Sequence, residues 1–223
     1  MKRVLFPLII GVAGVAILLS LGVWQVQRLA WKEAVLTNIE ARIGAEPVAI
    51  PDDVDPTEHQ FLPVKVEGRV VSSDVRVLAS QKVIGAGYRL VSAFETQGRK
   101  VLLDRGFVAL QGGIETVSQD LSVIGNLHWP EESDSFTPDP DIDNNIWFAR
   151  DVEALAAHLG TEPILVVASR VTPPQNGIDP LPVDTANIPN DHLEYAITWF
   201  SLALIWLVMT GYWVLRNRAR SKD

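Results

Sequence analysis

Two long uncharged runs bracket this chain, and a stretch of alternating positions fills the space between them. Val4 to Val26 carries no charge over 23 residues. A helix needs about 20 apolar residues to cross roughly 30 Å of hydrocarbon. Pro7 is placed in the first turn, where its missing N–H costs little. Gly11, Gly14 and Gly22 suit a membrane helix better than a soluble one. Tyr195 to Leu215 adds 21 uncharged residues and is followed by Arg216, Arg218, Arg220 and Lys222. Trp199, Trp206, Tyr212 and Trp213 supply candidate interfacial anchors. The pattern predicts transmembrane helices over 4–26 and 191–215.

Ala30 to Ile43 reads as a polar continuation of the first helix, and Gly44 to His59, rich in Pro and Asp, as a loop. Period-two alternation then predicts strands over 61–71 and 74–80, and further β-rich runs predict strands over 88–94, 100–110, 117–127 and 164–171. Gln97-Gly98 has hairpin spacing, and Gln111-Gly112-Gly113 marks a turn. Val152 to His158 predicts one short helix closed by Gly160 at its C-cap. Pro130 to Asn145 reads as an acidic loop, with Asp139 to Asn145 as a solvated acidic run. Thr172 to Asn190, with five prolines, reads as a linker returning the chain to the membrane. The fold class is therefore an α+β membrane protein. Two transmembrane helices flank one mostly antiparallel β-rich domain, over 27–190, with one or two short helices.

Charge gives the orientation. Lys2 and Arg3 flank one run, and four basic residues close the other, which places residues 1–3 and 216–223 in the cytoplasm. Residues 33–190 carry 11 basic and 24 acidic side chains and face the outside. Arg28 and Lys32 stand on the disfavoured side of the first run, as long translocated loops permit. The first run is longer than a signal-peptide core and no A-x-A site follows it, so it reads as an uncleaved anchor. No Arg/Ser-rich leader precedes it, which points to a bacterial inner membrane. A net charge of −8 argues against nucleic acid. The absence of cysteine removes disulfides, zinc ribbons, iron–sulfur ligation and thiolate copper transfer. Met1 and Met209, the two methionines, leave copper delivery weakly supported.

Hydrolase and nucleotide motifs are missing: there is no G-x-S-x-G, H-E-x-x-H or P-loop. Gly85-Ala86-Gly87 reads as a turn. Asp139 to Asn145 fails as a calcium loop, because Asn144 and Arg150 occupy the positions that need Gly and Glu. His59, His128 and His158 have no partner at ligand spacing and read as structural. His192 is set apart by its place at the mouth of the second run. On a helix it shares a face with Tyr195, Ala196, Trp199 and Ala203. Such a face offers an imidazole above an aromatic and small-residue floor, which suits a flat amphiphile such as haem. It equally suits an interfacial helix cap. Trp24, Arg28 and Trp31 form a matching stripe on the first helix, with Lys32 beside them. Their cations can meet haem propionates, pair with Glu194, or snorkel to lipid phosphates.

The segment Gly22-Val23-Trp24-Gln25-Val26-Gln27-Arg28-Leu29-Ala30-Trp31-Lys32 resembles the opening signature of the surfeit locus protein 1 family. Gly87-Tyr88-Arg89-Leu90, Val101 to Val108, Asn145-Ile146-Trp147-Phe148 and Asn190 to Phe200 resemble its later motifs in order. The sequence departs from the family pattern at Asp104, Phe107, Asp191 and Glu194. The resemblance implies an assembly factor for cytochrome c oxidase rather than an enzyme. It implies binding of haem a, with His192 as the iron ligand, and haem A synthase and oxidase subunit I as partners in the lipid bilayer. Tyr195 and Trp199 would cover one side of the ring, Trp24, Arg28, Trp31 and Lys32 the other. The competing expectation is a membrane scaffold that steadies subunit I without touching haem.

Overall fold

The computed structural model describes residues 2–81, 84–110, 120–186 and 188–220. The turn at 111–113, strand positions 117–119 and Lys222 lie outside the described residues. The chain divides into two compact units: Met1–Asn38 with Thr185–Asp223, and Ile39–Asp184.

The first unit is a helix pair, α1 (Lys2–Ile43) and α3 (His192–Arg220). Both are long and apolar enough to cross a membrane, with mean hydropathy of 2.5 over the best window of α1 and 1.6 over that of α3. Because α1 begins at Lys2, Pro7 falls in its second turn rather than its first. Small residues of α1 receive large ones of α3. A Cβ added at Gly11 would collide with Thr210, one at Gly14 with the Trp206 indole, and one at Gly22 with the Phe200 ring. Trp206 Nε1 also donates to Gly11 O at 3.2 Å. These three glycines let the helices approach, as is usual where lipid removes the hydrophobic drive for helix association.

The second unit is a seven-stranded mixed sheet: β1 (Pro63–Val70), β2 (Val75–Gln81), β3 (Gly85–Thr96), β4 (Arg99–Ala109), β5 (Asp120–Leu127), β6 (Ile146–Trp147) and β7 (Leu165–Thr172). Its order is β1-β5-β7-β4-β3-β2-β6, and β1 also pairs with the end of β3. The ring β1-β5-β7-β4-β3 is thereby closed, which removes exposed edges, and β2 and β6 extend it from β3. Pairing is antiparallel except for β2–β6 and β4–β7. The Gln97-Gly98 turn has φ of 51° and 75°, the left-handed pair that a tight hairpin demands.

The β4 and β7 strands are covered on both faces, which explains their near-continuous apolar runs. Val101, Leu103, Val166 and Ala168 point into one cluster with Val64, Phe94 and Val123. Their neighbours Leu102, Leu165 and Val167 join a second cluster beneath the helix α2 (Val152–Leu159). Asp151 caps that helix by accepting from Ala154 N, and Gly160 closes it at φ 66°.

Asp139 to Asn144 are exposed, as a solvated acidic run should be, and earlier in the same loop Glu132 pairs with Arg150. One loop expectation is corrected. Thr172 to Asn190 is not a free linker over its first half: Ile178 is buried, and Asp179 exchanges backbone hydrogen bonds with Phe107 at 2.8 and 3.0 Å.

Candidate functional site

His192 opens α3, where it follows Asn190 and Asp191. Its Nδ1 donates to Oε1 of Gln25 at 2.7 Å, a contact across 167 residues of sequence. Gln25 is buried on α1, as is Gly22 one turn earlier, and Ala196 and Ala203 are buried on the facing side of α3. An amide oxygen accepts only, so Nδ1 carries the proton and the lone pair of the neutral ring resides on Nε2. Nε2 makes no hydrogen bond among the described residues. A histidine whose Nδ1–H is held by a second side chain is the arrangement that metal-ligating imidazoles use.

The other predicted residues distribute unevenly. Trp199 shares the His192 face, half-buried, and its Nε1 is buried without a hydrogen-bond partner. Tyr195 lies off that face and is 56% exposed. Trp24 and Trp31 are about half exposed, and the Arg28 guanidinium lies 3.8 Å from the centre of the Trp31 ring. Arg28 is therefore held locally by a cation–π contact. Lys32 is partly buried on the same helix. Among the described residues the structure joins Gln25 to His192 and Arg28 to Trp31; no hydrogen bond, ion pair or ring contact links the Trp24, Arg28, Trp31 and Lys32 stripe to His192 or Trp199.

A charged network in the second unit was not foreseen. Asp104, fully buried on β4, receives Arg89 Nε at 2.6 Å and Arg150 Nη1 at 3.1 Å. Arg89 also donates to Leu181 O at 2.7 Å, which ties the 172–184 segment to the sheet. Arg150 turns its remaining N–H groups to Glu132. Burial pushes the Glu132 carboxyl up, but the hydrogen bonds and charge of Arg150 outweigh this and leave it below the usual range. Burial lowers Arg150 in turn, and Glu132 with Asp104 raises it overall. Burial, and then the Arg150 charge, push His128 down to about 4, so its ring is neutral and stacks on Phe61 with centroids 5.4 Å apart. His158 tilts against Trp147. The only trace of this network in the sequence was the mixing of Asp104 and Arg105 into an otherwise apolar strand.

A helix pair with a histidine locked by a buried amide, joined to a closed mixed sheet, defines a two-helix protein with one β domain and a candidate ligand face. Known proteins give this class a family. The SURF1 family profile matches residues 12–204, and the chain belongs to that family. Surfeit locus protein 1 of Homo sapiens is 31% identical over 210 residues, covering 82% of this chain and 69% of the relative. Surfeit locus protein 1 of Xenopus tropicalis is 29% identical over 209 residues, covering 82% and 67%. The SURF1-like protein of Drosophila melanogaster is 30% identical over 214 residues, covering 82% and 69%.

Proposed function

We propose that this chain is a membrane-anchored assembly factor for a haem–copper terminal oxidase of the cytochrome c oxidase kind. In this reading it takes haem a from haem A synthase and assists its insertion into oxidase subunit I. The observation that carries the reading is the Gln25–His192 contact, which leaves Nε2 of His192 as an open ligand. His192 would hold the haem iron through Nε2. Trp199 would present its ring face. Trp24, Arg28, Trp31, Lys32 and Tyr195 would line the approach, the cations meeting propionates. The chain's residues bind, orient and release; no covalent step is involved, and the protein is not an enzyme.

Both helices span the bacterial inner membrane in this reading, with the basic flanks in the cytoplasm and the sheet domain in the periplasm. Protease added to spheroplasts is expected to cut the domain; full protection there would reverse the topology.

The functional test is an optical spectrum of the detergent-purified protein, co-expressed with the enzymes that make haem a, beside His192→Ala. A haem a band lost in the variant is the expected result. A band of equal strength in both would remove His192 as ligand. No band in either would leave a scaffold that steadies subunit I without haem.

A further inference from the structure

The bulge in β4 builds a second candidate binding site. Leu90 pairs with Gly106 and Val91 with Asp104, so Arg105 is the extra residue of a β-bulge. The bulge turns a cationic side chain away from its alternation and buries it to 1% exposure. Gly106 completes the bend at φ 126°, and a Cβ there would strike the backbone of Asp179. The guanidinium is held from two sides: Nη1 donates to Asp74 Oδ1 at 2.6 Å, and Nε donates to Gln175 Oε1 at 3.1 Å. Asp74 is itself fixed by the Ser92 hydroxyl.

Two donors are left over. Arg105 Nη2 and Gln175 Nε2 are both buried without a hydrogen-bond partner. They belong to side chains already in contact through Nε and Oε1. The two side chains contribute to the lining of a cavity of about 180 Å³, with Val171, Pro174, Ile178 and Pro180 as its apolar walls. A water occupies about 30 Å³ of liquid, so the cavity exceeds a single bridging water. It also falls below the roughly 300 Å³ at which drug-sized sites begin. The size suits a small acid or one acidic side chain.

We infer that this cavity is a carboxylate-binding site, with Arg105 and Gln175 as its paired donors. A carboxylate satisfies adjacent N–H groups with its two oxygens, and a guanidinium edge is the donor best matched to it. The occupant is a small free monocarboxylate or an acidic side chain of a protein partner. Asp179 stands exposed on the lining, with its backbone tied to Phe107. Its charge opposes an incoming anion and keeps the affinity modest, as a site that loads and releases requires. This inference is independent of the haem reading, because none of its residues lies on α1 or α3.

The experiment follows the glutamine side-chain amide resonances of the full-length protein in detergent, ¹⁵N-labelled at glutamine, with acetate titrated at constant ionic strength. The Gln175 signals, assigned by their loss in Gln175→Glu, are expected to shift and saturate with acetate. Acetamide and chloride are expected to leave them unmoved. In Gln175→Glu the amide donor is gone and the new carboxylate meets Arg105 Nη2 from within, so thermal stability rises and acetate no longer raises it further. Asp179→Asn keeps the backbone contacts and is expected to tighten acetate binding several-fold. Tighter binding of the blocked peptide acetyl-Ala-Glu-Ala-amide than of acetate would assign a protein partner; binding of acetate alone would assign a free acid. No saturable shift in the wild-type protein, an equal response to acetamide, or no change in Asp179→Asn would each overturn the inference.

Discussion

Gln25 and His192 meet at 2.7 Å although 167 residues separate them, and the direction of that hydrogen bond decides which imidazole nitrogen is free. The amide oxygen takes the Nδ1 proton, so the free nitrogen is Nε2. Gln25→Leu keeps the buried volume and removes the acceptor. The ring can then rotate or change tautomer, and haem a affinity is expected to fall about 10–100-fold, as for lost partners of ligating histidines. A titration of purified protein with haem a, compared with His192→Ala, reads this directly. Unchanged affinity in Gln25→Leu would remove Gln25 from the site.

Gly14 faces the Trp206 indole so closely that a Cβ would sit 2.5 Å from Nε1. Gly14→Leu is therefore expected to force α1 and α3 apart. The native chain has no cysteine, so an engineered pair, Gly11→Cys with Thr210→Cys, reports on pairing without background. Disulfide yield between these positions is expected to drop sharply when Gly14→Leu is added.

Asp104 is the shared anion of two guanidinium groups in an otherwise apolar layer. Asp104→Ala leaves Arg89 and Arg150 facing each other with one carboxylate, Glu132, between them and solvent. Removing one member of a buried ion network costs about 3–5 kcal/mol. A lower urea midpoint for the full-length protein, with unchanged slope, is the expected result. Replacing Asp104 with no loss of stability would show that the network contributes nothing.

His128 gives stability a pH dependence of known sign. Its folded pKa is pushed down to about 4, against an ordinary value of 6.5. Between those values the unfolded chain binds the proton and the folded chain does not, so stability falls as pH drops from 6.5 to 4 and levels off below. The loss is at most about 3 kcal/mol, and solvent reaching the half-buried ring reduces it. His128→Gln is expected to flatten urea midpoints across this window, leaving a residual decline from Glu132 below it.

Much of the architecture was legible in the chain. Two uncharged runs gave the long helices, because only length and hydropathy are needed to read them. Alternation and β-rich apolar runs located six of the seven strands within a few residues, since each turns at least one face toward a core. Gly160 and Gln97-Gly98 marked their turns because their φ values are accessible mainly to such residues. The two-residue strand β6 went unread: its pairing is with β2, some 70 residues earlier, and so short a run has no period. The Glu132–Arg150 pair also had no local trace, since the two residues are 18 positions apart in sequence.

The sequence by itself determined what depends on neighbours along the chain: the apolar runs, the alternation, the caps and the motif that placed His192 at the start of α3. Tertiary structure alone decided what depends on neighbours across it. It closed the sheet by pairing β1 with the end of β3, and it bulged β4 at Arg105. It also set Gln25 against His192 to choose the free nitrogen. The reason is physical. Periodicity and hydropathy are sums over adjacent residues, whereas a hydrogen bond between distant side chains depends on the packing of glycines and alanines that brings their backbones together.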